Sequence, residues 1–326
     1  IALSKCGHAD FLLQQIKNKF LSDEKRAEAA FYLARAGKLK NPEFYPILVE
    51  DLKSDGIPAY YSAFALLRSG LDLKGKSSEL DAIVSDIDNA DARFALLQTL
   101  GKTDSSAIGL LSKRFDQYAS DQNYLDRIAI IRAAIKFNNA ASIVLLQKGL
   151  NDNNHHVRDQ ASIALVDRAD QFELPYLLKQ FNSENFALVK YRFASVLLKR
   201  PDFTAKDSLS RLIKKQYATE PDEYKQGYML TALSGDFKNL EFLEEITFST
   251  PSILLREFAY AALLNYRRSP DFNKYAQLWN ANYTMPLTEH FSKVIQNAIE
   301  THDVSMVALS AELLRDTTLP LSLIHI

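Results

Sequence analysis

The sequence predicts an all-α fold, a solenoid of stacked helical hairpins. Three observations carry this: a degenerate repeat of about 33 residues, amphipathic segments alternating with short polar turns, and only 10 Gly and 10 Pro in 326 residues. The repeat is sharpest where the turn Asn151-Asp152-Asn153-Asn154 leads into His155-His156-Val157-Arg158 and an amphipathic helix. There Val157, Ala161, Ala164 and Leu165 fall at i, i+4, i+7 and i+8, one face of a helix with about 3.6 residues per turn. With Ala161 as anchor, equivalent small or apolar residues fall at Ala29, Ala63, Leu96, Ile130, Phe193, Met229 and Ala259. Successive anchors are 34, 33, 34, 31, 32, 36 and 30 residues apart, the period of two helices with their turns. A small anchor lets neighbouring helix axes approach closely, toward the short end of the usual range of about 8–10 Å.

A first helix is expected before each anchored second helix, over 9–21, 42–52, 77–87, 105–115, 140–150, 171–181, 205–217 and 239–247. Polar breaks mark the turns, among them Ser22-Asp23, Ser54-Asp55-Gly56, Asp88-Asn89, Asp152-Asn153-Asn154 and Asn182-Ser183-Glu184. Their short side chains can accept from the first, unpaired amides of a helix. After Tyr266 the register slips: Arg267-Arg268-Ser269-Pro270-Asp271 opens an irregular stretch containing Trp279 and Pro286, and further helices are expected at about 287–300 and 304–314. The expected organisation is therefore 1–266 helical repeats, 267–320 an irregular terminal unit of the same solenoid, and 321–326 a tail. Nine or ten hairpins would result, in one stack that needs no linker because each contacts its neighbours.

Composition narrows the function. With 39 basic and 40 acidic residues the net charge is −1, so no whole-chain field draws in phosphate backbones, and nucleic acid is not expected as a partner. Cys6 is the single cysteine, which excludes an internal disulfide framework and a thiolate metal cluster within the chain. No apolar run approaches the roughly 18–20 residues that span a bilayer. The sequence opens on Ile1, and Leu321-Ser322-Leu323-Ile324-His325-Ile326 matches in-frame translation of a transposase adapter used in sequencing libraries. The last native residue is expected at about Pro320.

The segment Leu174-Pro175-Tyr176-Leu177-Leu178, followed by a polar turn and Val189-Lys190-Tyr191-Arg192, resembles HEAT repeats. So do Glu43-Phe44-Tyr45-Pro46-Ile47-Leu48 with Ala63, Leu66 and Leu67, and the stretch from Ile143 to Leu165. The resemblance covers about residues 9–266 and implies a right-handed superhelix whose second helices line a concave, protein-binding surface. A further stretch, Phe291-Ser292-Lys293-Val294-Ile295 through Asp303-Val304 and on from Ala308 to Arg315, looks like the closing segment of bacterial exported proteins in which such repeats precede a cyclophilin-type peptidyl-prolyl isomerase domain. That likeness implies an exported parent with its catalytic domain beyond residue 320. Ser292 and Lys293 stand where the cyclophilin catalytic strand has histidine and arginine, so the active site is not expected within this chain.

A basic residue recurs three positions before the anchor, at Arg26, Arg93, Arg127, Arg158 and Arg256. The planar guanidinium suits bonds to turn carboxylates and carbonyls of adjacent repeats, with Asp23, Asp152 and Asp91 as available partners, and a structural role is expected over a ligand ladder. His155-His156 invites a metal reading, but neighbours on a helix diverge by about 100° and no ligand stands at i+4, so no metal site is expected. The chain has no His-Glu dipeptide, which excludes the di-iron deoxyhypusine hydroxylases of the HEAT type, and no nucleophile elbow or Gly-rich phosphate loop. No catalytic residue and no cofactor is expected. Aromatic residues beside the anchors, Tyr61, Phe64, Phe94, Tyr191 and Tyr260, form the candidate protein-binding surface, because Tyr and Phe supply contact area. The expected function is non-catalytic scaffolding of a protein or extended polypeptide within a larger parent; the alternative is the repeat region of the isomerase.

Overall fold

A computed structural model describes residues 9–54, 56–268 and 296. Sixteen α-helices lie among the described residues, with no strand. They pair into eight hairpins, each a first helix and an anchored second helix. In chain order they are α1 Ala9–Lys17 and α2 Asp23–Arg35, α3 Phe44–Leu52 and α4 Ile57–Arg68, α5 Ser77–Asp86 and α6 Ala90–Thr99, and α7 Ala107–Gln117 and α8 Tyr124–Ala134. These are followed by α9 Ala140–Leu150 and α10 His155–Arg168, α11 Leu174–Ser183 and α12 Ala187–Lys199, α13 Lys206–Tyr217 and α14 Glu223–Leu233, and α15 Leu240–Ser249 and α16 Ile253–Arg268. The fold is an all-α solenoid, as the repeat predicts. The helices expected at 287–300 and 304–314, and most of the terminal unit 267–320, lie outside the described residues.

The chain divides into two compact units, Ile1–Ala164 and Leu165–Ile326, and the division falls inside α10 rather than at a linker. In the first unit α2 packs on α4, α4 on α6 and α6 on α8, while first helices α5, α7 and α9 form the other layer. In the second unit α12, α14 and α16 stack in the same way. All eight anchors are buried. Alanines at Ala30, Ala65, Ala92, Ala129, Ala194 and Ala262 join them in the second-helix layer, where the missing bulk allows close axes. Larger anchors fill the wider gaps: Phe193 is wholly enclosed, and burial of such a side chain stabilises by about 1.5–3 kcal/mol.

Capping sets the ends. Ser22 accepts from the Lys25 amide, Asn89 from that of Ala92, and Asn139 forms a reciprocal box with Ser142. At Gly56, φ is 80°, a left-handed conformation that glycine adopts without a Cβ clash, and this glycine starts α4. Where observed ends differ from the expected ones, a short side chain competes with the helical backbone. The Asn18 amide oxygen takes the Phe20 amide at 3.0 Å, so α1 stops at Lys17 rather than at 21. The Asp104 carboxylate takes the Ser106 amide at 2.9 Å, so α7 begins at Ala107 rather than at 105.

Candidate functional site

The second helices of the first unit expose a row of rings and cations. On α2, Glu28, Tyr32 and Arg35 share one face at i, i+4 and i+7; on α4, Tyr60, Phe64 and Arg68 do so at i, i+4 and i+8. Phe31 meets Tyr32 and Tyr61, each with centroids 5.4 Å apart, and Tyr60 meets Phe64 at 4.8 Å. The Arg68 guanidinium lies 5.2 Å from the Phe31 centroid and 5.7 Å from that of Phe64, while Arg35 covers Phe31 at 5.7 Å. Further along, Arg132 stands 5.7 Å from Phe94 and donates to the Gln160 side chain at 2.7 Å. Tyr61, Phe64 and Phe94 are half-buried, whereas Arg35, Arg68 and Arg132 are exposed. Each cation–ring contact at an exposed site contributes about 0.5–1 kcal/mol, enough to hold a charged head over its ring without withdrawing it from solvent. Burial, followed by the nearby Glu28 carboxylate, raises the Tyr61 phenol above its ordinary pKa, so it presents a neutral hydroxyl.

Tyr191 and Tyr260 are placed otherwise, and their assignment to an exposed surface is corrected. Tyr260 is 0% exposed and belongs to the core. Tyr191 is 6% exposed; its hydroxyl lies 3.2 Å from the Gln216 side-chain oxygen, and burial raises its pKa. Both follow the same anchor offsets as Tyr61 and Phe64, but here neighbouring helices roof the ring. Residue register fixes which way a side chain leaves its own helix, not what the next hairpin lays over it.

Of the arginines before the anchors, Arg26, Arg93 and Arg127 cross between hairpins. Arg26 donates to the Leu21 carbonyl at 3.1 Å and to Asp23 at 2.6 Å, with Asp51 of the next hairpin 3.5 Å away. Arg93 forms a two-pronged bond to Asp126, both arms at 3.1 Å; Asp91, the acid nearest in sequence, is exposed in the first turn of α6. Arg127 is nearly enclosed and holds Asp152 at 2.7 and 2.9 Å while donating to the Tyr118 and Ser120 carbonyls at 2.6 Å each. Arg158 donates to the Asp152 and Asn153 carbonyls at 2.9 Å each. Arg256 is half-buried on α16. The forks of Arg93 and Arg127 are thereby directed into the stack and away from an incoming ligand.

His155 and His156 stack on each other with centroids 4.0 Å apart, and His156 lies 5.8 Å from Tyr124, so their rings serve packing at the start of α10. No group of three His, Cys, Asp or Glu that could hold a metal ion occurs among the described residues. No described helix is long and apolar enough to cross a membrane.

Against this geometry, residues 111–197 match the family model for HEAT repeats. That segment is similar to HEAT repeats. No curated protein and no solved structure matches it. The matched segment holds the Arg127–Asp152 lock and the sharpest sequence copy.

A second basic row runs through the helical hairpins and carries no motif of its own. Arg35, Arg68, Lys102, Lys136, Arg168 and Arg200 follow their anchors by five to seven residues, at or just past the end of each second helix. A cation there faces the negative end of the helix dipole. Lys102 reaches back to the end of the preceding second helix, donating to the Leu66, Leu67 and Ser69 carbonyls at 3.0, 3.1 and 2.7 Å, and Arg200 reaches the turn after α10, donating to the Ala169 and Phe172 carbonyls at 2.6 Å each. Arg35 and Arg68 instead stay exposed over the rings.

Proposed function

We propose that this chain is a non-catalytic protein-binding scaffold whose partner is an extended polypeptide laid along the second helices of the first unit. The observation that carries this is the row of rings with exposed guanidinium heads, Phe31, Phe64 and Phe94 beneath Arg35, Arg68 and Arg132, with the half-buried Tyr61 ring against Phe31. Rings and arginines are the side chains that supply most contact energy at interfaces, and here they recur hairpin by hairpin rather than converging on one pocket. Affinity would be spread over several weak contacts, each strengthened by its neighbours through local concentration. The exposed guanidinium heads favour partner segments with carboxylates beside apolar side chains.

A photo-crosslinking residue at Tyr61 identifies the partner, and binding is then measured with purified components. The Phe64→Ala, Phe94→Ala double variant is expected to bind at least tenfold more weakly with unchanged far-ultraviolet circular dichroism, since two hot-spot rings contribute about 1 kcal/mol or more each. Unchanged affinity in a folded double variant refutes this surface. Should the ring substitutions unfold the unit, Arg68→Glu at an exposed head tests the same row.

The finer reading, the repeat region of a cyclophilin-type peptidyl-prolyl isomerase within a larger parent, rests on the sequence likeness at 291–315, outside the described residues. The reading frame past Pro320 tests it: a cyclophilin barrel sequence supports it and an early stop refutes it.

A further inference from the structure

Bonds between hairpins line up the turns of the first unit along two edges. The Asn89 side chain donates to the Gly56 carbonyl at 3.5 Å and that of Asn154 to Asp121 at 3.2 Å, so the turns within hairpins share one edge. On the other edge, where successive hairpins connect, the Gly70 amide donates to the Leu39 carbonyl at 2.9 Å and the Gly75 amide to Asp104 at 2.8 Å. The second helices between them hold the two edges about 15–20 Å apart, at about 1.5 Å per residue. Charge is divided between these edges. On the connecting edge Lys38, Lys40 and Lys74 are exposed beside Arg35 and Arg68, and none of these cations forms an ion pair among the described residues. Of the exposed carboxylates there, Glu43 is held by Lys17 and Glu79 by Lys76, which leaves Asp72. On the turn edge Asp86, Asp88, Asp91 and Asp121 are exposed on the third and fourth hairpins, again without an ion pair among the described residues. The cations of that edge are placed elsewhere: Lys53 is held by Glu50, Lys148 by Asp116, and Lys19 and Lys25 lie on the first hairpin. Helix dipoles do not account for the division, because Asp86 ends α5 while Lys40 and Lys74 precede the amino ends of α3 and α5, the unfavourable side in each case.

We propose that the two edges are complementary halves of one contact between copies of this chain, the connecting edge of one copy laid against the turn edge of the next. The chain supplies both charges on separate edges, and its net charge of −1 sets up almost no overall repulsion between copies. Because the halves lie on opposite edges, a contact formed through one half of each copy leaves the other half of each open. Assembly therefore proceeds as a row and does not close as a twofold pair. Exposed charges carry the contact, so salt screens it: the Debye length falls from about 30 Å at 0.01 M to about 8 Å at 0.15 M.

The test is sedimentation velocity of the full chain at increasing protein concentration, in about 10 mM and about 150 mM NaCl. At the lower salt the average mass is expected to climb past that of a dimer with concentration, and association is expected to weaken about tenfold or more at the higher salt. Two triple variants neutralise one edge each: Lys38→Gln, Lys40→Gln, Lys74→Gln, and Asp86→Asn, Asp88→Asn, Asp121→Asn. Each alone should remain monomeric with unchanged far-ultraviolet circular dichroism. Mixed, they should form pairs that stop at one to one, since each keeps the half that the other lacks; this also shows that both variants are folded. A wild-type chain that stays monomeric at the lower salt, association indifferent to salt, a variant that still self-associates, or a mixture that stays monomeric overturns the proposal. So does a chain that stays monomeric but is retained on immobilised heparin through Lys38, Lys40 and Lys74, which would assign the connecting edge to a polyanion.

Discussion

Asp51, at the end of α3, is 2% exposed, and replacing it with asparagine should stabilise the protein at neutral pH. Its carboxylate accepts from the Ser62 hydroxyl at 3.4 Å and lies 3.5 Å from Arg26, whose fork is already engaged by Leu21 and Asp23. Both contacts are long. Burial therefore outweighs the Arg26 attraction, the Asp23 charge adds to it, and the carboxyl is raised from 3.8 to about 6. Asp51 holds its proton more tightly folded than unfolded, so its stabilising contribution is complete below pH 3.8 and lost as pH rises through about 6. A shift of this size corresponds to about 3 kcal/mol, as an order of magnitude. Asp51→Asn keeps the size and polarity and does not titrate. Urea unfolding followed by far-ultraviolet circular dichroism, on wild type and variant at pH 4 and pH 7.5, should give nearly equal stabilities at the lower pH. At the higher pH the variant should be more stable by about 3 kcal/mol. A variant less stable than wild type at pH 7.5 would show that the Arg26 attraction exceeds the burial cost, and a gap independent of pH would show that the two cancel.

Arg127→Ala strands the Asp152 carboxylate and two carbonyls in the interior; the expected loss is about 3–5 kcal/mol in chemical denaturation, partly recovered by adding Asp152→Asn. A loss below about 1 kcal/mol would mean that water reaches the carboxylate. Gly101→Ala puts a methyl 2.8 Å from the Ala133 Cα and 2.9 Å from its carbonyl oxygen, backbone atoms that move only with α8. Overpacking of about 1–3 kcal/mol should exceed the gain in helix propensity, and the melting temperature should fall; a rise would refute the close approach.

The hairpins were legible because two periods coincide in the sequence, about 3.6 residues within a helix and about 33 between anchors. Ala63, Leu96 and Met229 are enclosed because a residue at that register has a second helix on either side. Partnerships between hairpins were much less legible. Arg93 reaches Asp126, 33 residues on, while Arg127 reaches Asp152, 25 residues on, and only the loop path decides which acid arrives. Tyr61 and Tyr191 stand at the same offset from their anchors, yet the second is covered. The two charged edges were not legible at all, since each is drawn from several separate turns and no local pattern joins them.

The Lys102 ammonium closes the end of α4, yet it belongs to the following hairpin, and Arg200 reaches back in the same sense to the turn that follows α10. The stack therefore has a grain. Shortening the protein from its amino-terminal side takes away helices whose ends were closed by what remains. Ending the chain before Lys102 leaves the last carbonyls of α4 without the cation that meets them. During synthesis the same polarity applies: α4 emerges with a frayed end and becomes fully bonded only when the chain has grown past Lys102.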